Sequence, residues 1–413
     1  MNSILKNSGI LLSTLILAAC GSDDDHSHGD AHDEHEHNLL ISQADSNALS
    51  VLEEGTPESL DDTASGNVQS MLLANNGEIA AVLSAGTVDF VVVHEHEEEE
   101  EGEAHEGEEE HDKPEVVTIA ALSSGVSQVT NTIGHFSVLV NNQTQLVPYS
   151  VFEEGGNPDS EELSLGIEEE AYPALLLEEG ETETVALAFD GTNAVVYEDT
   201  AATPDTTTCS DVDSAAQNAE FAVVSCDDTT FSVKLEEGES DHTIEFDTTF
   251  TIATGVEWKT AAGVFVGLGD DNQFYVLEEN ETTEVLELEG SFAATETVNE
   301  ATVELCAWGI DSLEAEIFAL TATELTIFDH DATSHSITLD ETQGATCGDL
   351  RMATASQAVF VLDNNGAVLY EIDKEEGASQ YHIHGRETLS VTDVESAVIF
   401  HEVGTDSHDH AHE

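Results

Sequence analysis

Three stretches of this chain interleave histidine with carboxylate: "GSDDDHSHGDAHDEHEH" at 21–37, "HEHEEEEEGEAHEGEEEHDKP" at 94–114 and "TDSHDHAHE" at 405–413. They hold twelve of the nineteen histidines, namely His26, His28, His32, His35 and His37, then His94, His96, His105 and His111, then His408, His410 and His412. Imidazole nitrogen suits zinc, copper and nickel, and nearby carboxylates add oxygen ligands and a field that concentrates divalent cations. Metal binding is therefore the chemistry expected here, with zinc the leading ion, although such tracts select poorly among metals. A run of glutamate alone reads as a solvated surface insertion. Histidines at both ends of the 94–114 loop turn the reading toward a metal-binding loop. His94 and His96 follow a strand-like run in which alternate residues share a face, so a scaffold can hold that pair together. The arm at 21–38 and the tail at 403–413 read as disordered. They must lose conformational entropy to bind, so each is expected to be a weaker, multi-state site. For the arm, a metal-catching role stands ahead of a plain solvated tether.

The remaining histidines are weighed singly. His382 and His384 in "YHIHG" alternate across one residue, so both can point into one site, and a structural role has equal weight. His135 precedes a hairpin in "TIGHFSVLV", His330 and His335 bracket "DATS", and His242 and His401 have no companion nearby. No GxSxG, HExxH, SxxK, P-loop or GxGxxG stands in a convincing setting. Arg351 and Arg386 are the only arginines, which leaves little for a phosphate clamp. Catalysis is not expected.

Charge and leader narrow the setting. With 88 acidic residues against 7 basic ones the formal charge is −81, which repels nucleic acid and anionic headgroups. Salt adaptation accounts for acids spread along the whole chain, since salt screens self-repulsion within about 10 Å. Residues 1–20 read as a secretory signal, with Lys6 in a short n-region and "GILLSTLILAA" before Cys20. "LAAC" resembles the bacterial lipobox, in which Cys20 is lipid-modified and becomes the mature N-terminus. Gly21 in place of an aspartate favours the outer membrane of a Gram-negative cell, with the arm as leash. Four further cysteines in an exported chain suggest disulfides. Sequence proximity favours Cys209 with Cys226 and Cys306 with Cys347, out of three pairings that four cysteines allow.

The elements that must position these residues repeat. Eight segments share the form apolar run, polar turn, apolar run: 39–52, 79–93, 136–151, 184–198, 221–235, 264–278, 316–330 and 358–372. Each reads as a hairpin, because β-branched and aromatic residues flank Asn, Asp and Gly turns. Their starts lie 37 to 57 residues apart, the spacing of β-propeller blades. Shorter runs such as "VQSMLLANN" and "VEWKTAAG" supply further strands of four-stranded sheets. The fold class is therefore all-β, a seven- or eight-bladed propeller over 39–402 with 94–114 inserted. The stretch "LSVTDVESAVIF" at 389–400 can pair with the first hairpin to close the ring.

An exported propeller with a His/Asp/Glu-rich loop after an early hairpin, "HF" before the next one, and the "FAVVSCDD" cysteine in mid-chain resembles the AztD-type periplasmic zinc metallochaperones. The resemblance spans about residues 39 to 400. It implies a propeller that passes zinc to the solute-binding protein of a zinc ABC transporter. It also implies that His94 and His96 are metal ligands, with His135 a neighbour across the face. The stretches "YPALLLEEG" and "CSDVDSAAQNAEF" lack the His-Gly pair that family members tend to carry. The function expected is a lipid-anchored zinc chaperone or periplasmic zinc reservoir. The alternative is a non-enzymatic adhesion or interaction propeller with a salt-adapted surface.

Overall fold

A computed structural model describes residues 38–400, apart from 54–55, 76, 93–113, 154–163, 166, 168–169, 180–183, 200, 228, 236–243, 248–249, 281, 296, 299–300, 330–331, 340–343 and 375–379. Among the described residues the chain forms nine antiparallel sheets: eight are the blades of a propeller, and the ninth is a two-stranded ribbon of Thr297–Val298 with Ala301–Thr302. Strands are lettered A to D from the axis outward. Each sequence-predicted hairpin is the central B–C pair of one blade. The reason is packing: a central strand is covered on both faces by neighbouring blades. In blade 8, Val359 and Val361 pack toward blade 7 while Phe360 and Leu362 pack toward blade 1. Two-sided burial replaces alternation with a continuous apolar run.

The seventh-or-eighth blade question resolves at the seam. Val394–Phe400 forms strand A of blade 1 and pairs antiparallel with Asn38–Gln43, which is strand B of the same blade. The first strand therefore begins at the last residue of the expected arm. Successive inner strands are cross-linked by side chains. Asn131 Nδ2 donates to the Leu73 carbonyl (2.7 Å), Gln217 Nε2 to that of Leu176 (2.6 Å), and Lys259 Nζ to that of Trp308 (2.9 Å).

Blade 3 departs from the pattern with three strands, Val126–Thr132, His135–Val140 and Gln143–Pro148. Its outer edge is met by Ser164, Leu165 and Glu170. Ser164 bridges Gln145, the Leu165 amide donates to the Thr144 carbonyl, and the Thr144 amide donates to the Glu170 carboxylate. A carboxyl thus stands where a fourth strand would offer a carbonyl. Glu170 is 2% exposed, and burial pushes its pKa up to about 7 despite the Thr144 bond.

Alternation of strand direction divides the connections between two faces. A–B and C–D turns lie on one face. B–C turns and the links from D to the next A lie on the other. Both disulfides, Cys209–Cys226 and Cys306–Cys347, sit on the second face. Cys226 ends a B strand, and the other three cysteines lie in links between blades.

Candidate metal centre

The C–D hairpin of blade 8 joins Val368–Asp373 to His382–Thr388. Asp373 pairs directly with His382, Ile372 with Ile383 and Glu371 with Gly385, so His384 is left unopposed in a β-bulge. A bulge re-aims the side chain it carries. Here the result is convergence: His384 Nδ1 stands 3.1 Å from Asp373 Oδ2, and His382 Nε2 stands 3.6 Å from Asp373 Oδ1. One ligand atom from each of the three residues lies within 4.8 Å of the others. Two imidazoles and one carboxylate form a donor set suited to zinc. Asp373 Oδ1 is buried without a hydrogen-bond partner, so its lone pairs are available to a cation. The two histidine side chains are 43% and 56% exposed, so an ion can enter from solvent.

The residues on either side of this triad fix the hairpin to blade 7. Tyr381 points to the opposite side from His382, and its hydroxyl donates to Asp311 Oδ2 (2.6 Å). The fully buried Asp311 carboxylate also accepts the amides of Leu313, Glu314 and Gln357. Burial and the Asp311 carboxylate keep the Tyr381 phenol protonated by raising its pKa. Lys374 follows Asp373 and reaches Glu316 (3.1 Å) and Glu314. Burial works to lower the Lys374 pKa, and the two glutamates outweigh it, so the net shift is upward. His335 stacks on Tyr381 with ring centroids 6.5 Å apart. Burial lowers its pKa, so the imidazole there is held neutral.

Of the sequence-predicted site residues, His382 and His384 are brought together, and Asp373 is the ligand that sequence reasoning missed. His135 is 5% exposed with Nδ1 bonded to the Ile133 carbonyl at 2.7 Å, an arrangement that fixes the ring in the blade 3 turn. Among the described residues, it does not join a group of potential metal ligands. His94, His96, His105 and His111, the arm residues His26, His28, His32, His35 and His37, the tail histidines, and Cys20 lie outside the described residues.

Chain topology nevertheless sorts every histidine. His135 opens a B strand, and His335, His382 and His384 lie at the start of D strands. His94 to His111 fall between strands C and D of blade 2, His242 between C and D of blade 5, and His330 between C and D of blade 7. The arm leads into Asn38 and the tail follows Phe400, where strands A and B of blade 1 meet. All nineteen histidines therefore belong to A–B or C–D connections or to the two segments that flank the seam. Among the described residues, the face with the disulfides has none.

No family model matches this sequence, and no curated protein does. The fold is shared with solved structures. Apo AztD from Citrobacter koseri superposes with a TM-score of 0.60 at 12% identity, over 88% of this chain and 97% of that one. A second crystal structure of Citrobacter koseri AztD gives 0.61 at the same identity and coverage. A candidate 6-phosphogluconolactonase from Bacteroides fragilis reaches only 0.47 at 9% identity, over 89% of this chain and 99% of that one. At these identities the likeness is one of fold.

Proposed function

We propose that this chain is an exported zinc-binding propeller that carries or stores zinc, with Asp373, His382 and His384 holding one ion. The observation that carries the reading is the convergence of two imidazoles on a carboxylate with an orphaned buried oxygen. The position of every described histidine at an A–B or C–D connection supports it, as does a fold shared with AztD. Zinc enters as cargo, and the reading requires no catalytic step. The loop at 94–114, with His94, His96, His105 and His111, collects the ion along with the arm and tail. A zinc ABC transporter's solute-binding protein is the proposed recipient, and a lipid on Cys20 holds the chain at the membrane, in the outer-membrane leaflet that Gly21 favours.

Titration of metal-free chain with zinc against a chromophoric chelator tests the reading. A tight site is expected, and no site tighter than about micromolar would sink the chaperone role. Binding should weaken in acid because imidazole must be neutral to coordinate. Equal affinity at about pH 5 and about pH 8 would mean that carboxylates alone hold the ion, and calcium would then replace zinc.

A further inference from the structure

Asp373, His382 and His384 offer three donors, whereas protein-bound zinc takes four ligands. The same side of the hairpin carries one more carboxylate. Glu371 lies two residues before Asp373 on its strand, so alternation places both on one side. It is paired across the hairpin with Gly385, the neighbour of His384. A Cβ on residue 385 would stand 3.0 Å from Glu371 Oε2 and 3.6 Å from Glu371 Cβ. Glycine at 385 therefore leaves open the space in which the Glu371 carboxylate lies, folded across the strand beside the bulged histidine. Glu371 is half-buried, so part of its side chain meets solvent.

We propose that Glu371 is the fourth ligand of the ion held by Asp373, His382 and His384, an inference that rests on the zinc reading of that triad. Side-chain rotation brings the carboxylate from its seat over Gly385 to the ion and completes a two-histidine, two-carboxylate set.

Cobalt(II) in place of zinc reads the coordination directly. Full-length chain is loaded with cobalt, and its visible bands are taken as the difference from the His382→Ala/His384→Ala chain. Azide serves as a probe for a position occupied by water. The native chain should give tetrahedral bands that azide leaves unchanged. In Glu371→Gln, azide should shift the bands, and zinc affinity should fall about 10- to 100-fold, the scale on which supporting carboxylates act at metal sites. Glu371→Asp, one methylene shorter, should fall between the two. Bands in the native chain that respond to azide as those of Glu371→Gln do overturn Glu371 as a ligand and leave the triad standing. A native spectrum identical to that of the double-alanine chain overturns the triad and Glu371 together.

Discussion

The two faces of this propeller are built from the same strands and carry opposite chemistry. Among the described residues, one receives both disulfides and no histidine, and the other receives His135, His335, His382 and His384 and no disulfide. Cross-links between blades resist unfolding, and they need no access to solvent. Cys209 and Cys226 are 1% and 0% exposed. A metal site has the reverse requirement, because an ion must enter and leave. The triad meets it with a rigid root, formed by Asp311, Tyr381 and Lys374, beneath half-exposed imidazoles. Stability and exchange are thus assigned to different ends of the strands.

That division can be broken experimentally. The largest effect is expected from Cys306→Ser/Cys347→Ser, which opens a loop closed across a sequence separation of 41. Loss of that constraint should cost about 4 kcal/mol in denaturant unfolding, with zinc affinity unchanged. A parallel loss of zinc affinity would show that the faces are coupled. His382→Ala/His384→Ala should do the converse: one tight zinc equivalent disappears in chelator competition, a loss of at least about 100-fold, while metal-free stability stays within about 0.5 kcal/mol.

Glu170→Gln tests blade 3. An acid with its folded pKa raised from 4.5 to about 7 contributes no penalty when it is protonated in both states. Stability falls as pH rises from 4.5, where the unfolded chain ionises, and the loss is complete above about 7, where the folded chain must hold a buried charge. The glutamine variant should therefore match the native chain near pH 4 and exceed it by about 3 kcal/mol near pH 8, as read by thermal unfolding across pH. A gain of the same size at both pH values would remove Glu170 as its cause. The smallest effect is expected from Tyr381→Phe, which takes one donor from Asp311 while the three amides remain. A loss of about 1 kcal/mol is expected, with zinc affinity within about threefold.

The sequence shows the central hairpins because burial on both faces writes itself as unbroken apolar runs. Outer strands leave no such trace. Ala201–Thr208 is a full D strand spelled AATPDTTT, exposed along most of its length, and Ser334–Thr338 alternates between exposed and half-buried. The histidine pair of the candidate site was legible from its one-residue spacing. Asp373 was not, since 88 acids compete for the role and only the hairpin register selects one. The same register, with its unopposed His384, brings Glu371 alongside, and no spacing rule on a single strand contains a bulge. Blade 3 was hidden for a related reason. Its fourth strand is replaced by a carboxyl group and a short bridged segment, which carry no strand pattern at all.

The seam of the ring has a mechanical consequence. Strands Asn38–Gln43 and Val394–Phe400 are antiparallel, and Asn38 faces Phe400 at one end of the pair. Traction between those two residues pulls across the ladder at its end, so hydrogen bonds break one after another and never share the load. A chain held at one terminus and tugged at the other would peel open at blade 1 before any other blade felt the force, at a rate set by the barrier to unzipping and not by the overall folding free energy.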